Sequence, residues 1–305
     1  MGEQTITALD NAFLRVGIAE HGAELVSVFD KKENGEMLWQ ADPACWGRHA
    51  PILFPFVGRP YDGKFRYRGK TYPMGQHGFA RDMAFIRVRA DDTEAVFVLT
   101  DSPETRAVYP FAFRLQVSYE IEDNRIAVGW KVTNPSDREP LLFSIGAHPG
   151  FRVPFDGQER KEDYRILFFG PEGKRLQKIA YKLILPDGSG VDDTHIYAMD
   201  IPETGLPARE ELFEKDALIL ENGQVSAAAL IRPGGKPYIR LSCPDFPFFG
   251  LWSKPGAHAP FICLEPWYGR ADGAGFSGEL QDRVGEIMLE PGEEFETGYD
   301  IFVGK

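Results

Sequence analysis

Residues 115–132, LQVSYEIEDNRIAVGWKV, carry the pattern that decides the fold class. Leu115, Val117, Tyr119 and Ile121 alternate with polar residues, and the same period of two resumes over residues 126–132. Such alternation is typical of strands with one buried face, because successive side chains point to opposite faces of a sheet. Residues 122–125 lie between the two runs and predict a tight turn, so the stretch predicts an antiparallel hairpin.

Short runs of β-forming residues recur along the rest of the chain, for example at 13–18, 95–99, 248–252 and 295–303. A second hairpin is predicted around a turn at Gly69-Lys70, since glycine at the first turn position favours a type II′ turn. Only residues 210–215 resemble a helix, and they are too few to organise a domain. Many short strands without a βαβ alternation predict an all-β fold, a large antiparallel β-sandwich, with residues 1–305 in a single domain.

The bulk composition limits the possible partners. The 305 residues carry a formal net charge of −12, and 43% of them are hydrophobic and 26% charged. This is the composition of a globular protein with a sizeable core. The acidic balance argues against nucleic acid or an anionic membrane as a partner, because both require a basic face. No run of about 18 apolar residues is present, so no membrane span is predicted and a small-molecule substrate fits better.

The N-terminus and the cysteines predict a cytoplasmic protein. Residues 1–5 lack a basic segment followed by an apolar one, so no signal peptide is expected. Cys45, Cys243 and Cys263 form an odd and scattered set, which is typical of reduced thiols. No C-x-x-C pair and no other ligand spacing suggests a metal site, so none is predicted.

Glu265 is the first candidate for chemistry. It is the only charge in the otherwise apolar segment 261–268, FICLEPWY, which predicts a buried strand with the carboxylate at its end, facing a cleft. Burial beside Trp267 and Tyr268 would raise its pKa toward the range of a general base, and the two rings would offer an apolar face to a sugar. The alternative is a structural ion pair with Arg270.

Other polar side chains interrupt apolar surroundings in a similar way. Arg59, His77 and Arg81 lie near glycines that let the backbone approach a ligand, and they supply donors for vicinal hydroxyls or a charged group. His148 follows a strand-like run, which predicts an imidazole held at a strand end and able to donate a proton near neutral pH. A structural role for the histidines and a surface ion pair between Arg81 and Asp82 are the alternatives.

Asp216 precedes an apolar strand and could accept hydrogen bonds from sugar hydroxyls, or cap the turn. With Glu265 it could also form the carboxylate pair of a glycosidase. The motifs of serine hydrolases, P-loop NTPases and zincins, which are G-x-S-x-G, G-x-x-x-x-G-K-[ST] and H-E-x-x-H, do not occur in the sequence.

Taken together, these segments resemble the aldose 1-epimerase (galactose mutarotase) family, and within it the LacX-like branch. The resemblance runs from about Phe13 to Phe302 and is specific as a set, although each motif is short. The matching segments are Gly58-Arg59, Gly63-Lys64-Phe65, Gly69-Lys70-Thr71-Tyr72, His77-Gly78-Phe79-Ala80-Arg81-Asp82, Gly146-Ala147-His148-Pro149, Trp252-Ser253-Lys254-Pro255-Gly256 and Cys263-Leu264-Glu265-Pro266-Trp267-Tyr268-Gly269.

The resemblance implies a galactose mutarotase-like supersandwich with a sugar cleft and no required cofactor. It implies that Glu265 takes the proton from the C1 hydroxyl while His148 protonates the ring oxygen, so that the sugar ring opens and closes to the other anomer. By the same resemblance, the residues that bind and orient the sugar are Arg59, His77 and Asp216. Arg81 is a further candidate for substrate binding, because the arginines leave room for a phosphorylated hexose.

Three readings therefore stay open. The first is an aldose 1-epimerase that interconverts the α and β anomers of an aldohexose, with a hexose 6-phosphate as an alternative substrate. The second is a non-catalytic carbohydrate-binding or sugar-sensing protein on the same fold. A glycosidase is the third. The protein is expected to act as a monomer or a homodimer.

Overall fold

The computed structural model describes residues 5–304. Strands dominate this part of the chain, and it contains one short α-helix, α1 (Pro103–Val108). The strands are β1 (Ile6–Asp10), β2 (Leu14–Ala19), β3 (Glu24–Asp30), β4 (Gly35–Glu36), β5 (Ile52–Leu53), β6 (Lys64–Tyr67), β7 (Lys70–Pro73), β8 (Ile86–Ala90), β9 (Glu94–Thr100), β10 (Arg114–Glu122), β11 (Arg125–Thr133), β12 (Leu141–Phe143), β13 (Ile145–Ala147), β14 (Gly150–Arg152), β15 (Arg165–Phe169), β16 (Lys178–Tyr181), β17 (Tyr197–Asp200), β18 (Leu206–Pro207), β19 (Leu218–Leu220), β20 (Ala227–Arg232), β21 (Lys236–Ser242), β22 (Phe248–Trp252), β23 (Phe261–Tyr268), β24 (Ile287–Leu289) and β25 (Glu294–Val303).

The predicted hairpin at residues 115–132 is confirmed. β10 and β11 pair antiparallel around a two-residue turn at Asp123-Asn124, with Val117 opposite Trp130. Their apolar side chains are buried at every second position. The hairpin lies inside a nine-stranded antiparallel sheet of order β18-β15-β20-β21-β25-β11-β10-β9-β8.

A six-stranded sheet positions the candidate site. Its order is β19-β22-β23-β13-β5, and β14 also pairs with β23. Leu251 and Leu264 of this sheet belong to the same buried core cluster as Leu115 and Val128 of the large sheet. Sheets with a shared apolar core are the arrangement of a β-sandwich, and the predicted all-β fold class is confirmed.

The second hairpin forms with a different turn from the predicted one. β6 and β7 pair around Arg68-Gly69 instead of Gly69-Lys70, and both turn residues have positive φ angles of 50° and 73°. That is a type I′ turn. The register places Phe65 directly opposite Tyr72, where the two rings stack with centroids 5.2 Å apart. This aromatic contact accounts for the observed register.

The helix prediction was wrong in position. Residues Glu210–Phe213 form only a 3₁₀ turn, whereas α1 was not predicted. Its start has a capping box, in which the Ser102 hydroxyl accepts from the Thr105 N–H, and Pro103 occupies the first helical position. Both features are sequence signals for a helix start. No helix in residues 5–304 is long and apolar enough to cross a membrane.

Candidate active site

The strand register places His148 opposite Glu265. Gly146 pairs with Trp267 and Gly150 pairs with Cys263, so His148 lies across from Glu265 in the gap between β13 and β14. Residues opposite each other on one face of a sheet are close enough for their side chains to meet. His148 Nε2 and Glu265 Oε2 are 3.2 Å apart. Fold topology therefore brings together two groups that are 117 positions apart in sequence.

Trp267 forms the floor beside this pair. It lies two residues after Glu265 on β23, so both side chains point to the same face of the sheet. The indole covers the neighbouring strands at Gly146 and Gly250, where an added Cβ would come within 2.6 Å and 2.3 Å of the ring. Glycine at these two positions therefore leaves space for the indole to lie flat over the sheet. Its Nε1 donates to the Ala147 carbonyl at 3.2 Å.

Burial holds the pair in its uncharged form. His148 is 8% exposed and Glu265 is 1% exposed. Burial lowers the pKa of His148 to about 3, and the positive charges of Arg81 and Arg48 act in the same direction. Burial also raises the pKa of Glu265 well above its usual value, with a further contribution from the negative charge of Asp216. Burial therefore favours the protonated carboxyl of Glu265 and the neutral imidazole of His148.

Three buried polar atoms of the pair make no hydrogen bond within residues 5–304. His148 Nδ1 and both carboxyl oxygens of Glu265 are buried without one. Buried polar groups without a partner are costly, and in native proteins catalytic sites are one of the places where they are retained. Aromatic rings surround the imidazole, with ring centroids 4.9 Å away for Trp46 and 5.4 Å away for Trp252. The walls are therefore apolar and the reactive atoms polar, as a sugar-binding cavity requires.

His77 is fixed through Gly58. The Gly58 N–H donates to His77 Nδ1 at 3.1 Å, and the His77 N–H donates to the Gly58 carbonyl at 2.8 Å. Burial lowers the pKa of His77 well below its usual value, so the ring is neutral. The Gly58 N–H on Nδ1 favours the tautomer with the proton on Nε2, which lies 3.2 Å from the side-chain amide of Gln76. The imidazole rings of His77 and His148 lie 5.6 Å apart at right angles.

The remaining predicted residues lie around the cavity. Arg59 is exposed, and its side chain has no hydrogen-bond or ion-pair partner among the described residues. Arg81 donates to the Gln76 carbonyl at 2.7 Å, and burial together with the charge of Arg48 lowers its pKa to about 10. Asp216 is exposed and accepts from the Ala217 N–H. Asp216 and His77 both have left-handed backbones, with φ of 70° and 67°, a conformation that non-glycine residues adopt mostly at special sites.

All six predicted residues line one cavity of about 420 Å³. This volume suits a single small ligand. Two of the sequence expectations need correction, however. Glu265 lies within β23 and not at its end, because the cavity opens across the face of the sheet. Arg270 does not pair with Glu265, since its guanidinium binds Glu221 and Asp193 at 2.6 Å each.

Comparisons with known proteins identify the family. The aldose 1-epimerase family model matches residues 4–178, which is more than half of the chain. The chain belongs to the aldose 1-epimerase family. The LacX protein of Lactococcus lactis subsp. lactis is 30% identical over 301 residues, which cover 97% of this chain and 98% of LacX.

Solved structures of related proteins agree with this assignment. A galactose mutarotase related enzyme from Lactobacillus acidophilus superposes with a TM-score of 0.89 at 35% identity, covering 99% of this chain and 98% of that one. A galactose mutarotase-like protein from Lactobacillus casei ATCC 334 superposes with a TM-score of 0.85 at 32% identity, covering 98% and 100%. The predicted resemblance to the aldose 1-epimerase family, including its LacX-like branch, is confirmed.

Several residues that line the cavity of this aldose 1-epimerase family member were not predicted from the sequence to be site residues. Trp46, Trp252 and Lys254 line the cavity, as do Gly188 and Ser189 of a segment that was expected to be only a surface loop. The tryptophans lie in irregular or strand-end surroundings, so no periodicity marks them. Polar loop composition predicts exposure and gives no information about what the loop folds against.

The cavity residues are better suited to proton transfer than to holding a metal. The one group of potential metal ligands found in residues 5–304 comprises His148, Cys263 and Glu265, whose ligand atoms lie within 4.8 Å of one another. Burial raises the pKa of the Cys263 thiol well above its usual value. Metal binding needs the thiolate, which this environment disfavours.

Proposed function

We propose that this protein is an aldose 1-epimerase that interconverts the α and β anomers of an aldohexose. The observation that supports this activity best is the His148–Glu265 pair, with Nε2 and Oε2 3.2 Å apart on the floor of the cavity. Mutarotation needs a proton acceptor and a proton donor on two different oxygens of one sugar. Two adjacent groups that share a single proton can serve as acceptor and donor in both the forward and the reverse reaction.

The proposed reaction begins when hydroxyl groups of the sugar donate hydrogen bonds to the Glu265 carboxyl. These bonds stabilise the carboxylate, so the shared proton moves to His148. Glu265 then takes the proton from the C1 hydroxyl and His148 gives its proton to the ring oxygen. The bond between C1 and the ring oxygen breaks and a carbonyl forms at C1. After rotation about the C1–C2 bond, the reverse steps close the other anomer.

Other lining residues are proposed to bind and orient the sugar. Arg59 and the Nε2–H of His77 supply donors, and Asp216 supplies an acceptor for hydroxyls. Trp46 and Trp252 provide apolar walls against which a sugar ring can pack. These rings exclude water, and the lower local dielectric strengthens the electrostatic contacts of the acid and the base.

A hexose 6-phosphate is the second candidate substrate. The cavity lining contains three cationic side chains, Arg59, Arg81 and Lys254, against only two carboxyl groups, Asp216 and Glu265. Burial also raises the pKa of Glu265, which favours its uncharged form, so the lining carries a positive excess in a protein with a net charge of −12. Local positive potential in a cleft attracts an anionic group despite the overall charge.

The deciding experiment is polarimetry of freshly dissolved α-D-glucose and α-D-galactose with the wild-type protein and with Glu265→Gln. We expect wild-type protein to accelerate mutarotation and the variant to lose about 10²–10⁴-fold of that rate, because it cannot accept a proton. Glu286→Gln is the matched control. Its carboxyl is also buried, 1% exposed, but it binds Arg283 and lies outside the cavity lining.

Each outcome selects one reading. A near-native rate in Glu265→Gln would remove Glu265 as the base. If neutral sugars do not respond, hexose 6-phosphates are tested in the same way. Sugar binding by calorimetry without acceleration of any anomer exchange would support the non-catalytic binding protein, and release of a new reducing end from a glycoside would support the glycosidase.

A further inference from the structure

A buried ion pair lies beneath the segment Val57–Tyr61 and outside the cavity lining. Arg283 is 4% exposed and Asp272 is 5% exposed, and Arg283 Nε donates to Asp272 Oδ1 at 2.7 Å. Neither residue lines the cavity. A buried ion pair is a poor source of stability, because desolvation offsets most of the attraction. Its hydrogen bonds therefore suggest another role.

Asp272 holds the backbone on both sides of Arg59. Its own N–H donates to the Arg59 carbonyl at 3.1 Å, and its Oδ2 accepts from the Tyr61 N–H at 2.8 Å. Asp272 thus binds the backbone at two points, the carbonyl of Arg59 and the N–H of Tyr61. Arg59 itself is exposed and its side chain has no partner within residues 5–304, so the position of its backbone determines from where the side chain reaches into the cavity.

Arg283 binds the start of the same segment. Its Nη2 donates to the carbonyl of Arg270 at 3.1 Å and to that of Val57 at 3.5 Å. Its guanidinium also lies over the Phe56 ring, with the central carbon 4.3 Å from the ring centroid. The planar guanidinium therefore joins the chain before Arg59 to the chain that follows β23.

The same segment also holds the side chain of His77 in place. Gly58 is the residue whose N–H and carbonyl bind His77, as described above. It has φ of 72°, and an added Cβ would lie only 2.4 Å from the Ala271 nitrogen, so Gly58 packs directly against the backbone beside Asp272. Movement of Ala271 or Asp272 is transmitted to Gly58 by contact and from there to the imidazole.

We propose that Asp272 and Arg283 are positioning residues of the sugar site, which hold the Val57–Tyr61 segment so that Arg59 is presented to the sugar and His77 keeps its Nε2–H tautomer. The kinetic part of this inference rests on the proposed aldose 1-epimerase activity. The tautomer part does not, because it concerns the free protein.

The first test compares Asp272→Asn with Glu286→Gln. Glu286 Oε2 accepts from the same guanidinium at 2.8 Å but makes no hydrogen bond to the Val57–Tyr61 segment, which makes it a matched control. We expect KM for the sugar to rise roughly tenfold in Asp272→Asn, since small misplacements of binding groups weaken productive binding. The pH dependence of kcat should keep its shape, because His148 and Glu265 remain opposite each other. The control should keep the wild-type KM.

The second test removes a single hydrogen bond. Tyr61→Pro deletes the N–H that binds Asp272 Oδ2, and Pro60 has ψ of 146°, which permits a following proline. Tyr61→Ala removes the same side chain but keeps the N–H. We expect a higher KM in the proline variant than in the alanine variant. This comparison leaves the buried ion pair intact and so judges the proposal even if Asp272→Asn does not fold.

The readout independent of activity is the imidazole of His77 in long-range ¹H–¹⁵N spectra. Wild-type protein and Glu286→Gln should show the ¹⁵N chemical shifts of a hydrogen-bonded Nδ1 and a protonated Nε2. In Asp272→Asn and Tyr61→Pro, the Nδ1 shift should move away from the value of a hydrogen-bonded nitrogen. Unchanged KM and unchanged His77 signals in folded Asp272→Asn and Tyr61→Pro would overturn the inference. Absence of mutarotation in the wild-type protein would overturn the proposed function, while the spectra would still judge the positioning role.

Discussion

At the residue scale, position in the sheet changes the chemistry of two ordinary side chains. An imidazole in water has a pKa near 6.5 and a glutamate one near 4.3, so at neutral pH the carboxylate alone is charged. Burial opposite each other lowers the pKa of His148 to about 3 and raises that of Glu265 well above its usual value. Their order of acidity is thereby inverted, so that the proton shared by the pair lies on the carboxyl in preference to the imidazole.

This inversion predicts an unusual pH profile. In the proposed mechanism, the pair acts while it carries one proton. Lowering the pH adds a second proton only near the His148 pKa of about 3, and raising it removes the shared proton only above the raised pKa of Glu265. We expect kcat/KM, measured by polarimetry with the uncatalysed rate subtracted, not to fall as the pH is lowered from about 7 to about 5.

An acid limb centred near pH 6.5 would contradict this expectation. Folding must be checked at each pH by tryptophan fluorescence. The depressed pKa of His148 means that the unfolded chain binds a proton that the folded chain does not, so this group lowers stability as the pH falls from about 6.5 toward 3.

At the element scale, ion pairs fold a polar loop onto the cavity. Residues 184–193 follow β16 and contain Gly188 and Ser189 of the cavity lining. Asp193 Oδ1 accepts from Arg270 at 2.6 Å and from Lys182 at 2.7 Å, and Arg270 is only 2% exposed. The Val191 N–H donates to the Asp272 carbonyl at 2.9 Å. The loop is thus held at its C-terminal end against the segment that follows β23.

Asp193→Asn should loosen this loop without unfolding the protein. The Asp193 side chain is 43% exposed, so we expect a stability loss of less than about 1 kcal/mol. Hydrogen exchange should become faster at the amides of Leu185 and Val191, which bond within the loop and to Asp272. Asp187→Asn, in the same loop but without an ion pair, is the control. Equal exchange rates in both variants would show that Asp193 does not hold the loop.

At the scale of the whole molecule, an acidic protein encloses a cavity with cationic lining. The net charge of −12 repels anions at long range, whereas Arg59, Arg81 and Lys254 attract them locally. The sum of charges therefore gives little information about the substrate. The single domain over residues 1–305, the monomeric or homodimeric state and the cytoplasmic location stay predictions.

Salt separates the two candidate substrates. If the cationic lining binds a phosphate, KM for a hexose 6-phosphate should rise as ionic strength increases from about 0.01 M to 0.15 M, because the Debye length falls from about 30 Å to 8 Å. KM for the neutral hexose should stay constant. Lys254→Gln should raise only the KM for the phosphorylated sugar, and Lys178→Gln, an exposed strand residue outside the lining, should raise neither. The same salt response for both sugars would rule out phosphate recognition by this lining.

The sequence by itself determined the fold class and identified six polar residues of the candidate site. Alternation at residues 115–132 is a local property, and it predicted the hairpin because one face of a strand is buried regardless of its partners. The motifs around Arg59, His77, Arg81, His148 and Glu265 pointed to the family through residue type and order, and these side chains line one cavity together with Asp216.

Only the tertiary structure decided how these groups meet and what state they are in. The contact of His148 with Glu265 depends on the pairing of β13 and β14 with β23, the protonation of the pair depends on burial, and the partner of Arg270 depends on where the 184–193 loop folds. Register, desolvation and loop docking arise from contacts between residues far apart in sequence. A local pattern contains no information about such contacts, because their energies exist only once the chain is folded.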